Sequence, residues 1–150
     1  LNRLDNDTLI GYLKIGEKEF DVKFIKTNGK IAGSNKNIRK IIPLDDGICL
    51  FCTNKREGWN SKVKYGIIIK NGKVLLNADY DEIQRINNFL YKIVTAKKEG
   101  LFDIQKGWIL PCKFDSLSYT NDYVNAYIQN LGNFRFNLLG NCFVFNGGIL

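Results

Sequence analysis

The 150-residue chain contains no histidine. That absence removes Ser-His-Asp and Cys-His catalysis, imidazole-ligated zinc and the commonest general base. Chemistry would have to come from thiols, from paired carboxylates, or from cations set around an aromatic ring. Four cysteines are present. Cys49 and Cys52 form Cys-Leu-Phe-Cys within the apolar run Ile48 to Cys52. On a strand, positions three apart point to opposite faces, which suits neither zinc nor a redox pair. Cys112 and Cys142 add no second pair at ligand spacing, so buried structural cysteine is the expectation. Asp81 and Asp115 each follow an aromatic residue, Tyr80 and Phe114. Two carboxylates are the equipment of a glycosidase. Because both stand at the same place in a repeated pattern, the plainer reading is an Asp that caps a turn by accepting nearby N–H groups. No phosphate loop or dinucleotide fingerprint occurs, and no cofactor or metal is expected.

Trp59 is the third candidate. It lies among Lys55, Arg56, Lys62 and Lys64, with Arg39 and Lys40 upstream. An exposed indole among cations can stack on a base or a sugar. The competing reading folds the ring back onto the body of the domain. Net charge is +7, and all of the excess falls in residues 1–75, while residues 76–150 are balanced. Such asymmetry fits an anionic partner. It equally fits a solvated, lysine-rich strand face that blocks edge-to-edge pairing.

The elements that would position these residues are written as a repeat. Gly100 follows Gly66, Phe114 follows Tyr80 and Asp115 follows Asp81 by 34 residues each. A fixed period of this length signals a repeat architecture. Asn71-Gly72, between two apolar runs, predicts a hairpin with a type I′ turn. Gln105-Lys106-Gly107 suits a three-residue loop with a left-handed glycine. Gly66 and Gly100 open the two hairpins, where a missing side chain suggests close approach to a neighbouring repeat. Pro111 marks a strand that stops donating to its ladder, and Pro43, 68 residues earlier, suggests a degenerate upstream copy.

The stretch 64–117 resembles the WG-repeat family of bacterial tandem β-repeats. Tyr65-Gly66 and Glu99-Gly100 stand at the name-giving pair, without its tryptophan. Asp103, Asn71-Gly72-Lys73, Pro111, Tyr80-Asp81-Glu82-Ile83 and Phe114-Asp115-Ser116-Leu117 match the remaining pattern. The resemblance implies a binding or scaffold role and little more.

Around this stretch, Phe20, Val22 and Phe24 alternate toward a core. A turn is expected at Gly16-Glu17-Lys18, a loop over Ala32 to Asn37, and a helical turn or irregular chain over Asp79 to Ile86. Residues 54–63 read as an insertion, and Phe134 to Gly140 as an eroded further copy. Trp108 reads as core packing. The expected fold is therefore all-β: tandem antiparallel hairpins stacked as a solenoid-like or curled sheet, with a propeller-like ring as the alternative. Degenerate repeats would fill 1–63, with repeats at 64–97 and 98–131 and a partial one at 132–150, as a piece of a longer array. A single domain of this length buries about 68–70% of its unfolded surface, and 45% hydrophobic content argues against disorder. No run of 18 apolar residues exists to span a membrane. With no leader and no disulfide pattern, cytoplasmic placement is favoured over export. The expected function is a non-catalytic interaction module. The partner is another protein first, then a nucleic acid or acidic polymer, or a toxin in an immunity-type complex.

Overall fold

The computed structural model describes residues 2–15, 17 and 20–147. The chain is all-β, laid out as four antiparallel sheets of four strands, each a simple meander. Sheet 1 holds β1 (Asn2–Arg3), β2 (Thr8–Lys14), β3 (Phe20–Lys26) and β4 (Ile31–Ile38). Sheet 2 holds β5 (Lys40–Pro43), β6 (Ile48–Glu57), β7 (Asn60–Ile69) and β8 (Val74–Tyr80). Sheet 3 holds β9 (Glu82–Arg85), β10 (Leu90–Thr95), β11 (Lys98–Asp103) and β12 (Gly107–Phe114). Sheet 4 holds β13 (Ser116–Tyr119), β14 (Tyr123–Ile128), β15 (Gly132–Asn137) and β16 (Cys142–Gly147). One 3-10 turn, Asp45–Gly47, joins β5 to β6. Among the described residues no helix is long and apolar enough to cross a membrane.

Single residues carry the chain from one sheet to the next: Arg39, Asp81 and Asp115. Each donates its backbone N–H into the second strand of the sheet it enters, to the carbonyls of Cys52, Val94 and Tyr127 at 2.8–2.9 Å. The closing hairpins also share a form. Gly29, Gly72 and Gly140 donate to the carbonyls of Lys26, Ile69 and Asn137, and each has φ near +85°. Asn71 is not in the left-handed region, so the expected type I′ turn is instead a three-residue loop whose last residue alone needs positive φ. Asp103 serves the β11–β12 loop by accepting from the N–H groups of Gln105 and Lys106 at 2.7 and 3.0 Å. Asn137 does the same for Leu139 and Asn141 at 3.0 Å.

Gly66 and Gly100 occupy matching places in their ladders. Tyr65 pairs with Tyr80 and Ile67 with Leu76, so β8 bulges between them; Glu99 pairs with Phe114 and Leu101 with Leu110, so β12 does likewise. A Cβ on Gly100 would stand 2.8 Å from the backbone of Leu110, Pro111 and Cys112. A Cβ on Gly66 would collide with the Leu76 carbonyl and the Phe51 ring. The close approach is thus to the glycine's own sheet, not to a neighbouring repeat as the sequence suggested. Pro111 lies in that bulge, where a missing N–H costs the ladder nothing. Pro43 instead ends β5, a first strand, so the spacing of 68 residues does not mark equivalent positions.

Contacts divide the chain into two compact units, Leu1–Tyr80 and Asp81–Leu150. In unit 1, Ile10, Val22, Phe24 and Ile38 of sheet 1 pack with Ile41, Cys49, Phe51, Ile68 and Ala78 of sheet 2. The alternation predicted for β3 holds: Val22 and Phe24 are sealed and Phe20 is half-buried on the same core. In unit 2, Leu90, Leu101, Leu110 and Phe114 meet Leu117, Val124 and Ala126. Phe114 stands edge-on to Phe136 and Phe134, with centroids 5.5 and 6.5 Å away. Burying such side chains contributes about 1.5–3 kcal/mol each, and aromatic edge contacts add about 0.5–1.5.

Two stretches differ from expectation. Ala32 to Asn37 is strand, not loop, because β3 pairs with it across Val22↔Asn35, Lys23↔Ser34 and Phe24↔Gly33. Asp79 to Ile86 is neither helical nor irregular: β8 runs through Tyr80 and β9 pairs Glu82–Arg85 with β10. In both, partner strands override weak local propensity. Trp108 is 42% exposed and leans edge-on against Phe102 at 5.4 Å, so only part of it packs. Of the turn expected at 16–18, Gly16 and Lys18 lie outside the described residues.

Candidate interaction ribbon

Residues 54–63, an insertion by sequence, lengthen one hairpin. β6 and β7 stay paired from Ile48↔Ile69 out to Glu57↔Asn60. Their flanking strands stop earlier: β5 reaches only Cys52, and β8 only Tyr65. Among the described residues, the rungs from Thr53↔Lys64 to Glu57↔Asn60 therefore form a two-stranded ribbon with no third strand on either edge. At ~3.4 Å per residue the ribbon is about 17 Å long. Gly58 and Trp59 close its tip, with Gly58 at φ +61°, the residue type a two-residue hairpin turn wants there. Trp59 is wholly exposed, at 105% of its reference surface. The indole does not fold back onto the body.

Alternation sorts the predicted cations onto two faces. Lys55 and Lys62 are paired across the ribbon, on the face that Phe51 and Gly66 continue over the core. Lys55 forms an ion pair with Asp79, both ends about half exposed; a pair in that setting is worth about 0–1 kcal/mol. Lys64 shares this face at the ribbon's foot and is only 8% exposed, so it is no surface contact, contrary to expectation. Arg56 lies opposite Ser61 on the other face and is exposed. At the base of the ribbon Arg39 donates to Asn54 Oδ1 at 3.1 Å, and Lys40 pairs with Cys52. The structure thus gathers Trp59, Lys55, Arg56 and Lys62 on one ribbon, sets Arg39 and Lys40 at its base, and withdraws Lys64.

The other candidates are engaged in the frame. Asp81 Oδ2 accepts from the Ala96 N–H at 2.9 Å, and Asp115 Oδ2 from the Gln129 N–H at 2.6 Å. Each carboxylate caps the middle turn of the sheet it leads into. Asp115 also pairs with Lys98. The Gln129 N–H and then the Lys98 ammonium hold its carboxyl below the usual range. Cys49 and Cys52 are buried on opposite faces of β6. Burial, with Asp5 nearby, pushes the Cys49 thiol up to about 12. Burial raises Cys112 to about 11, and its Sγ–H donates to the Ile93 carbonyl at 3.4 Å. Such thiols are poor nucleophiles at neutral pH. Among the described residues no three Cys, Asp or Glu side chains converge as a metal site would require.

One polar constellation was invisible in the sequence. Lys70 Nζ, in the β7–β8 loop, bonds Asp5 Oδ2 at 3.0 Å and Asp7 Oδ1 at 3.3 Å in the first turn of sheet 1. Sixty-odd residues separate the partners, and no periodicity links them. No protein-family model matches this chain, and no curated protein matches it.

Proposed function

We propose that this chain is a non-catalytic interaction module built from tandem β-repeats, of the kind the WG-repeat resemblance implies, and that it holds another macromolecule through the β6–β7 ribbon. The ribbon itself carries the reading. It projects past both flanking strands, meets no third strand on either edge among the described residues, and ends in a fully exposed tryptophan beside Arg56. Tryptophan and arginine are among the residues that most often dominate the energy of protein interfaces. A protein partner with an acidic surface fits first. The repeat part of the reading is supported by three inter-sheet links with one hydrogen-bond pattern and by the matching ladder places of Gly66 and Gly100. It requires no cofactor and assigns no catalytic residue.

A second reading, a nucleic acid or acidic polymer, draws on one observation: cations stand on both faces of the ribbon, Lys55 and Lys62 on one and Arg56 on the other. Phosphate-dominated binding falls by roughly 10³–10⁵ between 50 and 200 mM salt when six to ten phosphates are neutralised.

The test shortens the ribbon by joining Thr53 to Lys64 through Asn-Gly, which keeps the last core-side rung. The shortened chain is expected to fold and to lose the partner captured by the full chain, with Trp59→Ala losing most of it. Equal capture by both chains would remove the ribbon from the function. A salt titration against duplex DNA, RNA and the captured protein separates the two readings.

A further inference from the structure

The first turns of sheets 1 and 3 are built alike, yet a charged bridge spans the space beside them in unit 1 and a cleft lies there in unit 2. Leu4 donates its N–H to the Thr8 carbonyl, and Ile86 to the Leu90 carbonyl, both at 2.9 Å. Position by position, Asp5 then corresponds to Asn87 and Asp7 to Phe89. The closing loops of sheets 2 and 4 share their bonds too, so Lys70 corresponds to Leu138. In unit 1 the lysine reaches across and is held by both aspartates. In unit 2 all three charged groups are replaced, and a cleft of about 380 Å³ lies between the first turns of sheets 3 and 4.

From this we infer that the unit 2 cleft is a binding site for an uncharged peptide segment that inserts one apolar side chain, a site separate from the ribbon. Ile86, Leu90 and Leu138 give it an aliphatic floor, with Phe89 and Tyr119 as aromatic walls. Phe89 is 42% exposed, although it follows directly on a turn anchored by its own N–H. Among the described residues no charged side chain lines the cleft, so a charged ligand group would lose its hydration without a counter-charge. At the rim stand two primary amides, Asn87 and Asn121. The Asn87 oxygen is already occupied by the N–H groups of Phe89 and Leu90 at 3.0 and 2.9 Å, so its amide nitrogen is what remains for a ligand carbonyl. An apolar side chain meets the floor while its flanking peptide groups meet the amides. A sugar would instead press hydroxyls against aliphatic carbon, where they find no partners. The volume falls within the range of ligand pockets, about 300–1,000 Å³, and admits a leucine or phenylalanine with its peptide groups.

The experiment is a titration of the isotope-labelled full chain with N-acetyl-phenylalanine amide and N-acetyl-leucine amide, followed by amide chemical shifts. Saturable shifts are expected at the side-chain amides of Asn87 and Asn121 and at Phe89 and Leu138. The carboxylate N-acetyl-phenylalanine should bind about tenfold more weakly or worse, and methyl glucoside should produce no saturable shift. Importing the unit 1 arrangement, Asn87→Asp with Phe89→Asp and Leu138→Lys, should leave a dispersed spectrum and abolish binding. Should that variant not fold, Leu138→Trp fills the cleft without adding charge and is expected to abolish binding by itself. No saturable shift with either amide, equal binding of the carboxylate, saturation by the glucoside, or undiminished binding in a folded cleft variant would each overturn the site.

Discussion

Unit 1 and unit 2 join their sheets by different means. In unit 1 two backbones nearly touch: a Cβ on Gly33 of β4 would overlap the Asn71 carbonyl, and Gly72 packs on Gly33 and Ser34. In unit 2 the third residue of β12 is Ile109, and Gly140 packs on its carbonyl instead. The charged clasp of Lys70 with Asp5 and Asp7 has no counterpart among Asn87, Phe89 and Leu138. What unit 2 has in its place is the Phe114, Phe134 and Phe136 cluster. The lesson is that one backbone plan tolerates either solution. The clasp is half exposed on the lysine side, so it fixes geometry more than it adds stability. The aromatic cluster does the reverse.

This contrast can be broken or sharpened by substitution. The largest effect should come from Phe114→Ala, expected to destabilise by about 3–5 kcal/mol because it empties the unit 2 core. The corresponding Tyr80→Ala in unit 1 removes a half-buried ring and should cost less than half of that, both read from urea unfolding. A ratio near one would mean that the aromatic cluster carries no special share. Next, Gly33→Ala should cost about 1–3 kcal/mol through overpacking against the Asn71 loop.

Smaller still is the turn at Ala96 and Lys97, both left-handed at φ +49° and +61°. Lys97→Gly should stabilise by up to about 1 kcal/mol, since a side chain is strained there. A lower unfolding midpoint in that variant would show that the Asp81 cap already absorbs the strain. The clasp itself is best read against pH. Burial opposes charge on Asp5, but hydrogen bonds from Asp7 and Lys70 outweigh it and hold the carboxyl well below its usual value of 3.8. A depressed carboxyl contributes stability above its unfolded pKa and loses it as pH falls through the folded one. Lys70, raised by the hydrogen bonds to Asp5 and Asp7, keeps its contribution up to its usual 10.5 and loses it above the raised value. The stability gap between the parent and Asp5→Asn should therefore be constant across neutral pH and close in acid. A gap that widens in acid would contradict the clasp. Trp59→Ala should leave the unfolding free energy within about 0.5 kcal/mol of the parent, because the ring is wholly exposed.

Much of this was legible in the sequence, and the rest was hidden for definite reasons. The hairpins around Gly72 and Gly107 were readable because a turn glycine sits between apolar runs. β4 was not, because Gly33, Ser34 and Asn35 carry no strand signal and are held by β3 alone. Residues 54–63 read as an insertion in the sequence, but only the register shows that the flanking strands stop at Cys52 and Tyr65. Lys64 counted as a surface cation until pairing with Thr53 placed it at the buried foot. The cleft of unit 2 depends on residues 86–90, 119–121 and 138 meeting across two sheets, which no local pattern announces.

The meander has a consequence for how the chain reaches this state. Among the described residues every strand pairs only with its neighbour in sequence, and the most distant rung, Ile48↔Ile69, spans 21 positions. Closing loops this short costs little entropy, and low contact order speeds folding. Each sheet can therefore close on a growing chain as soon as its fourth strand leaves the ribosome, before the next sheet has been made. In the lengthened β6–β7 hairpin, the edges of the outer rungs meet no third strand among the described residues. Lysines on those edges would then act first as guards, repelling other nascent chains while the sheet beneath them forms.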